Sequence, residues 1–292
     1  MNLMSRFSNA ADIMHQVPRS VTFAITPTNV VATIMEDERM NTRKAGWNEW
    51  ASKRASLFTG CKHGCRYCFA RADALRFGRI KSAADWDRPV MQKAKHYGRC
   101  KGVVAFAGTH DITKENVTVC AKYLEDILAP GNRVLVVSKP GLFATQYLCE
   151  YLRQWRHQIE FRFTVGADDD ALLHYWEPGA PAFHERIMAA TYAGALGYSI
   201  SYSVEPMLDS QNIGRLLVQL RPAAQSIWVG MMNQVRRRVK IETDEDRRQV
   251  ERIEAGQTDE RILALYQALK GDPVIRWKDS IQDVLERNGV TL

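Results

Sequence analysis

The chain has 292 residues, 46% of them hydrophobic, which is enough to bury one large core or two smaller ones. No uncharged apolar run approaches the roughly 18 residues of a membrane helix, and the amino terminus lacks the apolar core of a signal peptide. Six unevenly spaced cysteines favour a reducing, cytoplasmic environment over a disulfide framework. The net charge of +7 favours anionic partners, with a solvated basic face as the alternative.

Residues 1–50 are predicted to form an amino-terminal extension. Two β-branched runs, Val21–Ile25 and Val30–Met35, are separated by a proline and an asparagine and predict two short strands. The stretch Asn41–Trp50 mixes basic residues with tryptophans. We interpret it as a packed connection, with a wall of a substrate site as the alternative.

From residue 51 onward, apolar strand-like runs alternate with amphipathic helical segments. Together with a strand before the cysteine loop they make six strand–helix units, which is typical of α/β folds with a parallel sheet. Six units are too few for a closed barrel of eight strands. The α/β domain is predicted to span residues 51–240, and the charged tail 241–292 is predicted to form helices packed on it. The strand-like runs are Val103–Ala107, Val134–Val137, Phe161–Val165, Tyr198–Val204 and Ile227–Met231.

Cys61, Cys65 and Cys68 form a C-x3-C-x2-C triplet. Three thiolates so close together suit three corners of one metal centre, because a disulfide would always leave one of them unpaired. A cubane iron–sulfur cluster normally takes four cysteine ligands, and the other three cysteines of this chain are scattered singly. The triplet therefore predicts a centre with one coordination site open for chemistry. A zinc site that also uses His63 is the alternative, although zinc loops usually supply their ligands as two separated pairs.

The triplet, with the aromatic Tyr67 just before its third cysteine, resembles the signature of the radical S-adenosylmethionine (SAM) superfamily. The resemblance implies a [4Fe-4S] cluster held by Cys61, Cys65 and Cys68, with SAM chelating the remaining iron through its amino and carboxylate groups. It implies reductive cleavage of SAM to a 5′-deoxyadenosyl radical, which takes a hydrogen atom from a substrate. The fold it implies is an open (β/α)6 partial barrel with an amino-terminal strand extension and carboxyl-terminal helices.

Within that superfamily the chain resembles the spore photoproduct lyase-like branch. The resemblance covers about half of the chain, from Gly60 to Pro206, and its motifs occur in the same order. They are the cysteine loop, Ala107–Ile112, Val137–Lys139, Phe161–Thr164, Trp176–Gly179, Glu185-Arg186 and Glu205-Pro206.

The resemblance implies SAM contacts after successive strands, where parallel α/β proteins bind their ligands. Lys139 would neutralise the SAM carboxylate, and Thr164 would bond the methionyl or ribose part. Thr109 and His110 would hold the amino group, and Glu205 would bind the ribose hydroxyls. The alternatives are structural: a surface lysine, a packed threonine, a structural histidine and a glutamate paired with a nearby arginine. The implied cofactor-binding set is Tyr67, Gly108, Thr109, His110, Lys139, Thr164 and Glu205.

Two neighbouring motifs receive structural interpretations. Asp111 is a candidate cap for the helix that follows it. The segment Trp176–Pro181 is interpreted as a shaped turn, not as a catalytic element.

Two positions depart from the repair lyase of this branch. The lyase has a hydrogen-donor cysteine just after its second strand and a relay tyrosine directly after the third cluster cysteine. This sequence has Gly108 and Phe69 there, and neither has a transferable hydrogen on sulfur or oxygen. Cys100 and Cys120 are offset by eight and twelve residues, so neither is an obvious substitute. The chain is therefore expected to be a radical SAM enzyme that does not repair spore photoproduct.

Three basic groups favour a nucleobase or a nucleic acid as the substrate. Trp86 and Tyr97 are interleaved with the first two groups and are expected to offer surfaces on which bases stack. Solvated helix faces are the alternative, and the acidic run 242–246 can neutralise the third group locally. The groups are Arg71, Arg76, Arg79 and Lys81; Lys93, Lys95, His96, Arg99 and Lys101; and Arg236, Arg237, Arg238 and Lys240.

Two other functions are compatible with the sequence. One is a radical SAM enzyme that acts on a small molecule or peptide, and the other is a noncatalytic, metal-stabilised nucleic-acid-binding protein. As an enzyme, the chain is expected to need an electron donor such as flavodoxin or ferredoxin. No membrane partner is expected.

Overall fold

The computed structural model describes residues 46–291, so the predicted strands Val21–Ile25 and Val30–Met35 lie outside the described residues. Within this range the strands form one large sheet and one antiparallel pair. In chain order they are β1 (Lys53–Ala55), β2 (Phe58–Thr59), β3 (Val90–Met91), β4 (Val103–Phe106), β5 (Arg133–Ser138), β6 (Ile159–Thr164), β7 (Ser199–Val204), β8 (Ser226–Val229) and β9 (Ile275–Trp277).

The helices alternate with the strands through most of the described range. None of them combines the length and the apolar character that a membrane crossing requires. In chain order they are α1 (Phe69–Arg76), α2 (Val117–Leu128), α3 (Leu142–Tyr151), α4 (Asp170–Trp176), α5 (Phe183–Ala195), α6 (Ile213–Leu220), α7 (Val235–Arg238), α8 (Asp244–Gly256), α9 (Asp259–Leu269) and α10 (Asp279–Arg287).

The large sheet contains seven strands, and every pair of neighbours in it is parallel. Their order across the sheet, β1-β4-β5-β6-β7-β8-β9, is also their order along the chain. Because all seven strands are parallel, their carboxyl ends lie at one end of the sheet. The predicted α/β class with a parallel sheet is confirmed. Closure of the sheet into a partial barrel stays a prediction.

The core lies between the sheet and the helices that connect its strands. The middle strands are almost continuously buried, as expected for strands covered on both faces. The amphipathic segments predicted between the strands include α2, whose apolar residues from Val117 to Leu128 form its buried face, and α6, whose apolar face is likewise buried. Gly197, at a φ of 84°, follows the end of α5 and turns the chain into β7.

Two features of the fold differ from the sequence prediction. The tail was expected to be helical, yet β9 lies within it and pairs with β8 as a seventh parallel strand. At three residues, β9 is too short to give a periodic signal. The second feature is the antiparallel β2–β3 pair, which the sequence did not predict. Each of its strands has two residues. The domain boundaries at residues 51 and 240 stay a prediction.

Candidate functional site

A cavity of about 310 Å³ lies at the carboxyl ends of the parallel strands. The end of each strand from β4 to β8, or the loop after it, contributes to its lining. The ten residues that the sequence assigns to the cluster and to SAM all line this one cavity. They are Cys61, Cys65, Tyr67, Cys68, Gly108, Thr109, His110, Lys139, Thr164 and Glu205.

The cysteine loop is fixed at both of its ends. At its start, the N–H of Cys61 donates to the carbonyl of Trp86 at 2.8 Å. Gly60 precedes it at a φ of 104°, and a Cβ there would lie 2.7 Å from the same carbonyl oxygen, so only glycine fits. At its end, Cys68 is the N-cap of α1 and its Sγ accepts from the N–H of Arg71 at 3.4 Å.

The segment Trp176–Gly179 binds the middle of the cysteine loop through the backbone. The carbonyl of Trp176 accepts from the N–H of Arg66 at 2.8 Å, and the N–H of Gly179 donates to the carbonyl of His63 at 2.9 Å. A Cβ at Gly179 would lie 2.4 Å from the carbonyl oxygen of Lys62. This segment is thus a shaped turn, as expected, and its role is to hold the loop that carries the thiols.

Asp111 is a buried carboxylate that joins three parts of the site. Its Oδ2 lies 3.1 Å from Nδ1 of His63 in the cysteine loop and 3.5 Å from Nζ of Lys139 after β5. Its Oδ1 accepts from the backbone N–H of Lys139 at 2.8 Å and from the hydroxyl of Ser138. Burial alone would raise the pKa of Asp111, but His63 and Lys139 outweigh it and hold that pKa far below its ordinary value. The expected helix-capping role is wrong, because the N-cap of α2 is Asn116.

A second buried ion pair supports Tyr67. Glu177 and Arg186 are fully buried, with Oε2 and Nη2 at 2.5 Å. The hydroxyl of Tyr67 donates to Oε1 of Glu177. Burial, with the nearby Glu177 carboxylate, raises the pKa of Tyr67 well above its ordinary value, so this hydroxyl keeps its proton. The segment Trp176–Gly179, which holds the cysteine loop, therefore also orients the ring of Tyr67 through Glu177.

The chemistry of the donor set fits a thiolate-bound centre. Burial raises the pKa of the Cys61 thiol to about 12 and also raises that of Cys65, so both need a bound cation to ionise at neutral pH. Burial alone would lower the pKa of Lys139, but Cys65 and Asp111 outweigh it and raise that pKa. Within residues 46–291 no three His, Cys, Asp or Glu side chains are grouped so as to hold a single metal ion. The other three cysteines, which are also described, do not line the cavity.

The turn after β4 presents three of the predicted residues to the cavity. It begins at Ala107, whose φ of 69° is a left-handed conformation that costs about 1–2 kcal/mol for a residue with a side chain. The N–H of Thr109 donates to Oγ of Ser56 at 3.1 Å. The hydroxyl of Thr109 donates to the carbonyl of Phe58 at 3.2 Å. The turn is thus anchored to the segment that leads into the cysteine loop.

Both ring nitrogens of His110 are engaged within the protein. Its Nε2 accepts from the N–H of Leu57 at 3.1 Å, and its Nδ1 lies 3.1 Å from the carbonyl oxygen of Asp111. Burial lowers the pKa of His110, which favours the neutral ring that these two contacts require. His110 lines the cavity, but its contacts match the structural alternative. A bond from either nitrogen to SAM would require one of these contacts to break.

Glu205 lies beyond the end of β7 and pairs with a lysine instead of an arginine. Its Oε2 is 3.6 Å from Nζ of Lys278, which also lies 2.7 Å from Oε2 of Glu49 and 4.0 Å from the ring centroid of Trp50. Burial raises the pKa of Glu205 to about 7, against the opposing effect of Lys278. Lys278 follows β9, a strand that the sequence did not predict, so Lys278 was not expected at the site.

The third basic group does not form one cationic surface. Arg236 pairs with Glu254 and Lys240 pairs with Glu242, both at 2.5 Å. Arg238 turns into the cavity instead. Carboxylates thus neutralise part of this basic group, as predicted. Glu242 belongs to the acidic run 242–246, whereas Glu254 lies outside it. Trp86 and Tyr97 are buried, so the expected stacking surfaces are absent at these two residues. Most members of the other two groups are exposed, so the nucleic-acid hypothesis depends on them.

Comparison with solved structures supports a shared fold. A tyrosine-to-phenylalanine mutant of spore photoproduct lyase is 16% identical, with a TM-score of 0.50 over 82% of this chain and 79% of that one. A cysteine-to-serine mutant of the same lyase gives 0.46 at 16% identity, over 86% and 77%. SuiB of Streptococcus suis, bound to the precursor peptide SuiA, gives 0.47 at 11% identity, over 82% and 52%. No protein-family model and no curated protein matches the chain.

Proposed function

We propose that this protein is a radical SAM enzyme. The observation that carries the proposal is the convergence of the three cysteines of the C-x3-C-x2-C loop and the seven residues assigned to SAM on one cavity. These residues come from the cysteine loop and from the ends of four different strands. The parallel sheet brings the loops after its neighbouring strands to one end, where they surround an open cavity. Parallel α/β proteins bind their ligands at this end of the sheet.

Cys61, Cys65 and Cys68 would hold a [4Fe-4S] cluster, and SAM would lie between the loop and the ends of β4 to β7. When bound, the cluster and SAM supply an electron and a 5′-deoxyadenosyl radical, which removes a hydrogen atom from a substrate. Lys139 would bind the SAM carboxylate, since it is the cation next to Cys65. Thr109, Thr164 and Glu205 would contact the rest of SAM, with Tyr67, Gly108 and His110 shaping its pocket.

The protein's own contribution is to fix the thiols and to keep water away from them. The His63–Asp111 contact and the Trp176–Gly179 segment hold the cysteine loop from two sides. Cys65 is 8% exposed, so solvent has little access to its sulfur. A rigid, dry setting of this kind lets a reactive radical reach the substrate before it is quenched.

The proposed substrate differs from the lesion that the repair lyase reverses. Gly108 and Phe69 line the cavity, and the sequence resemblance matches them to the hydrogen-donor cysteine and the relay tyrosine of the repair lyase. The substrate radical would therefore be quenched or rearranged without a protein thiol. A nucleobase or nucleic acid is our preferred substrate, supported by the exposed basic groups; a small molecule or peptide is the second candidate. Flavodoxin or ferredoxin would serve as electron donor.

An anaerobic assay tests the proposal. The reconstituted chain, SAM and a chemical reductant are expected to yield 5′-deoxyadenosine, and a Cys65→Ala variant is expected to yield none. A matched Cys100→Ser variant, which alters a cysteine outside the cavity, should keep the full rate. Deuterium transfer from labelled candidate substrates into 5′-deoxyadenosine would then identify the substrate. Equal rates in the wild type and in Cys65→Ala would overturn the proposal.

A further inference from the structure

Among residues 46–291, one lysine or arginine side chain that lines the cavity has no ion pair. Lys139 is paired with Asp111, and Lys278 is paired with Glu49 and Glu205. Arg238 also lines the cavity, yet no carboxylate in the described residues lies within ion-pair distance of its guanidinium. Unlike a lysine, an arginine keeps its charge inside a protein, so this guanidinium is a permanent cation facing the cavity.

The backbone holds Arg238 where it is. The chain turns at Gln234, whose φ is 56°, and then forms the short helix α7. Val235 and Val239, on either side of Arg238, are buried in a core that contains Trp176. The N–H of Arg238 donates to the carbonyl of Gln234 at 3.1 Å. The backbone of Arg238 is therefore fixed beside the cavity.

The surroundings of Arg238 disfavour an unbalanced charge. The side chain is half-buried, and burial lowers its pKa despite the favourable effects of Asp73, Glu205 and Cys68 at longer range. The neighbouring arginines are different. Arg236 is paired with Glu254, and Arg237 is exposed. Only Arg238 of this run is cationic, partly desolvated and directed at the cavity.

We propose that Arg238 forms a subsite for an anionic group of the substrate, a phosphate or a carboxylate. The planar guanidinium donates two parallel hydrogen bonds to either group, and a site that excludes water strengthens them. Arg238 follows β8, and Lys139 follows β5, three strands away in the sheet. One cavity can therefore hold the SAM carboxylate at Lys139 and a second anion at Arg238. This inference rests on the proposed function, because it assigns Lys139 to SAM and leaves Arg238 for the substrate.

Anion binding to the reconstituted full chain, with SAM present, tests the subsite. Calorimetric titrations with pyrophosphate and with citrate separate a phosphate preference from a carboxylate preference. At least one anion is expected to bind saturably to the wild type, and Arg238→Gln should weaken it by about tenfold or more, the usual effect of losing a charged hydrogen bond. Arg237→Gln is the matched control, one residue away and exposed, and should change the affinity less than about twofold.

Two further variants keep the test decisive. Arg238→Lys retains the charge and should bind within about threefold of the wild type, since it loses only the planar geometry. Arg238→Met replaces the glutamine variant if that variant does not fold. Unchanged anion affinity in Arg238→Gln, or no saturable binding to the wild type, would overturn the inference.

The SAM affinity of Arg238→Gln separates this inference from the proposed function. We expect it to stay within about twofold of the wild type, whereas a loss of about tenfold would make Arg238 a SAM contact and reject the substrate subsite. Neither titration depends on turnover. If the chain binds pyrophosphate through Arg238 but never cleaves SAM, the proposed function fails and the anion site stands.

Discussion

The carboxylate of Asp111 lies 3.1 Å from Nδ1 of His63, and this contact ties the cysteine loop to the end of β4. The same carboxylate binds Lys139 through both its side chain and its backbone N–H. Three segments at the strand ends, distant in the sequence, therefore share one buried anion. Geometry at the thiols depends on it, because the loop that carries them has no strand or long helix of its own.

Replacing Asp111 with asparagine is expected to destabilise the chain by about 3–5 kcal/mol, since it leaves Lys139 buried without its counter-charge. Denaturant unfolding measures this loss. A matched control is Lys122→Gln, which breaks an exposed pair with Glu125 and should cost less than about 1 kcal/mol. Equal costs for the two variants would show that Asp111 does not organise the site.

Gly179→Ala is expected to displace the cysteine loop, because the added Cβ would lie 2.4 Å from the backbone oxygen of Lys62. Iron bound after reconstitution should fall by more than half. Gly214→Ala is the control, since that glycine lies in α6 with nothing within 4 Å of the added atom. The control should keep its iron and gain about 0.5–1 kcal/mol of stability from helix propensity. Full iron content in Gly179→Ala would contradict the assigned role of this turn.

Glu205 should make stability depend on pH in a defined direction. Its pKa is raised from 4.5 to about 7, so the protonated form is favoured in the folded chain, and its stabilising contribution is lost as the pH rises from 4.5 through 7. The side chain is 23% exposed. Glutamine stays neutral at every pH. The free energy of unfolding of Glu205→Gln should therefore rise relative to that of the wild type by about 3 kcal/mol as the pH rises from 4.5 through 7.

Unfolding of the cluster-free chain at several pH values checks this difference. A flat profile for Glu205→Gln would mean that this carboxyl is not held in its protonated form by its surroundings.

Tyr67→Phe is expected to cost about 1.5–3 kcal/mol of stability, because the hydroxyl donates to the buried carboxylate of Glu177. Its iron content and 5′-deoxyadenosine yield should stay close to those of the wild type, since that hydroxyl already has a protein partner. Tyr192→Phe, whose hydroxyl bonds Glu150 away from the cavity, serves as the control for stability. Normal stability with lost turnover would instead assign Tyr67 a direct role with the substrate.

Much of the fold follows from local patterns in the sequence. The strand-like runs are continuous apolar segments, the apolar residues of α2 recur at helical spacing, and the cysteine spacing concentrates three ligands in one loop. Asp111 and Lys278 were not assigned to the site because their partners are distant in the sequence, and Arg238 was assigned only to a basic group. Asp111 meets His63 only through the fold, and Lys278 reaches Glu205 only because β9 joins the sheet. Ion pairs between residues that are distant in the sequence cannot be predicted from local residue spacing.

Iron and sulfide content, together with the electron paramagnetic resonance spectrum of the reduced cluster with and without SAM, tests the central claim most directly. The account predicts about four irons and four sulfides per chain, a spectrum that changes when SAM is added, and loss of both in Cys65→Ala but not in Cys100→Ser. One zinc per chain, or a cluster spectrum that SAM leaves unchanged, would contradict it.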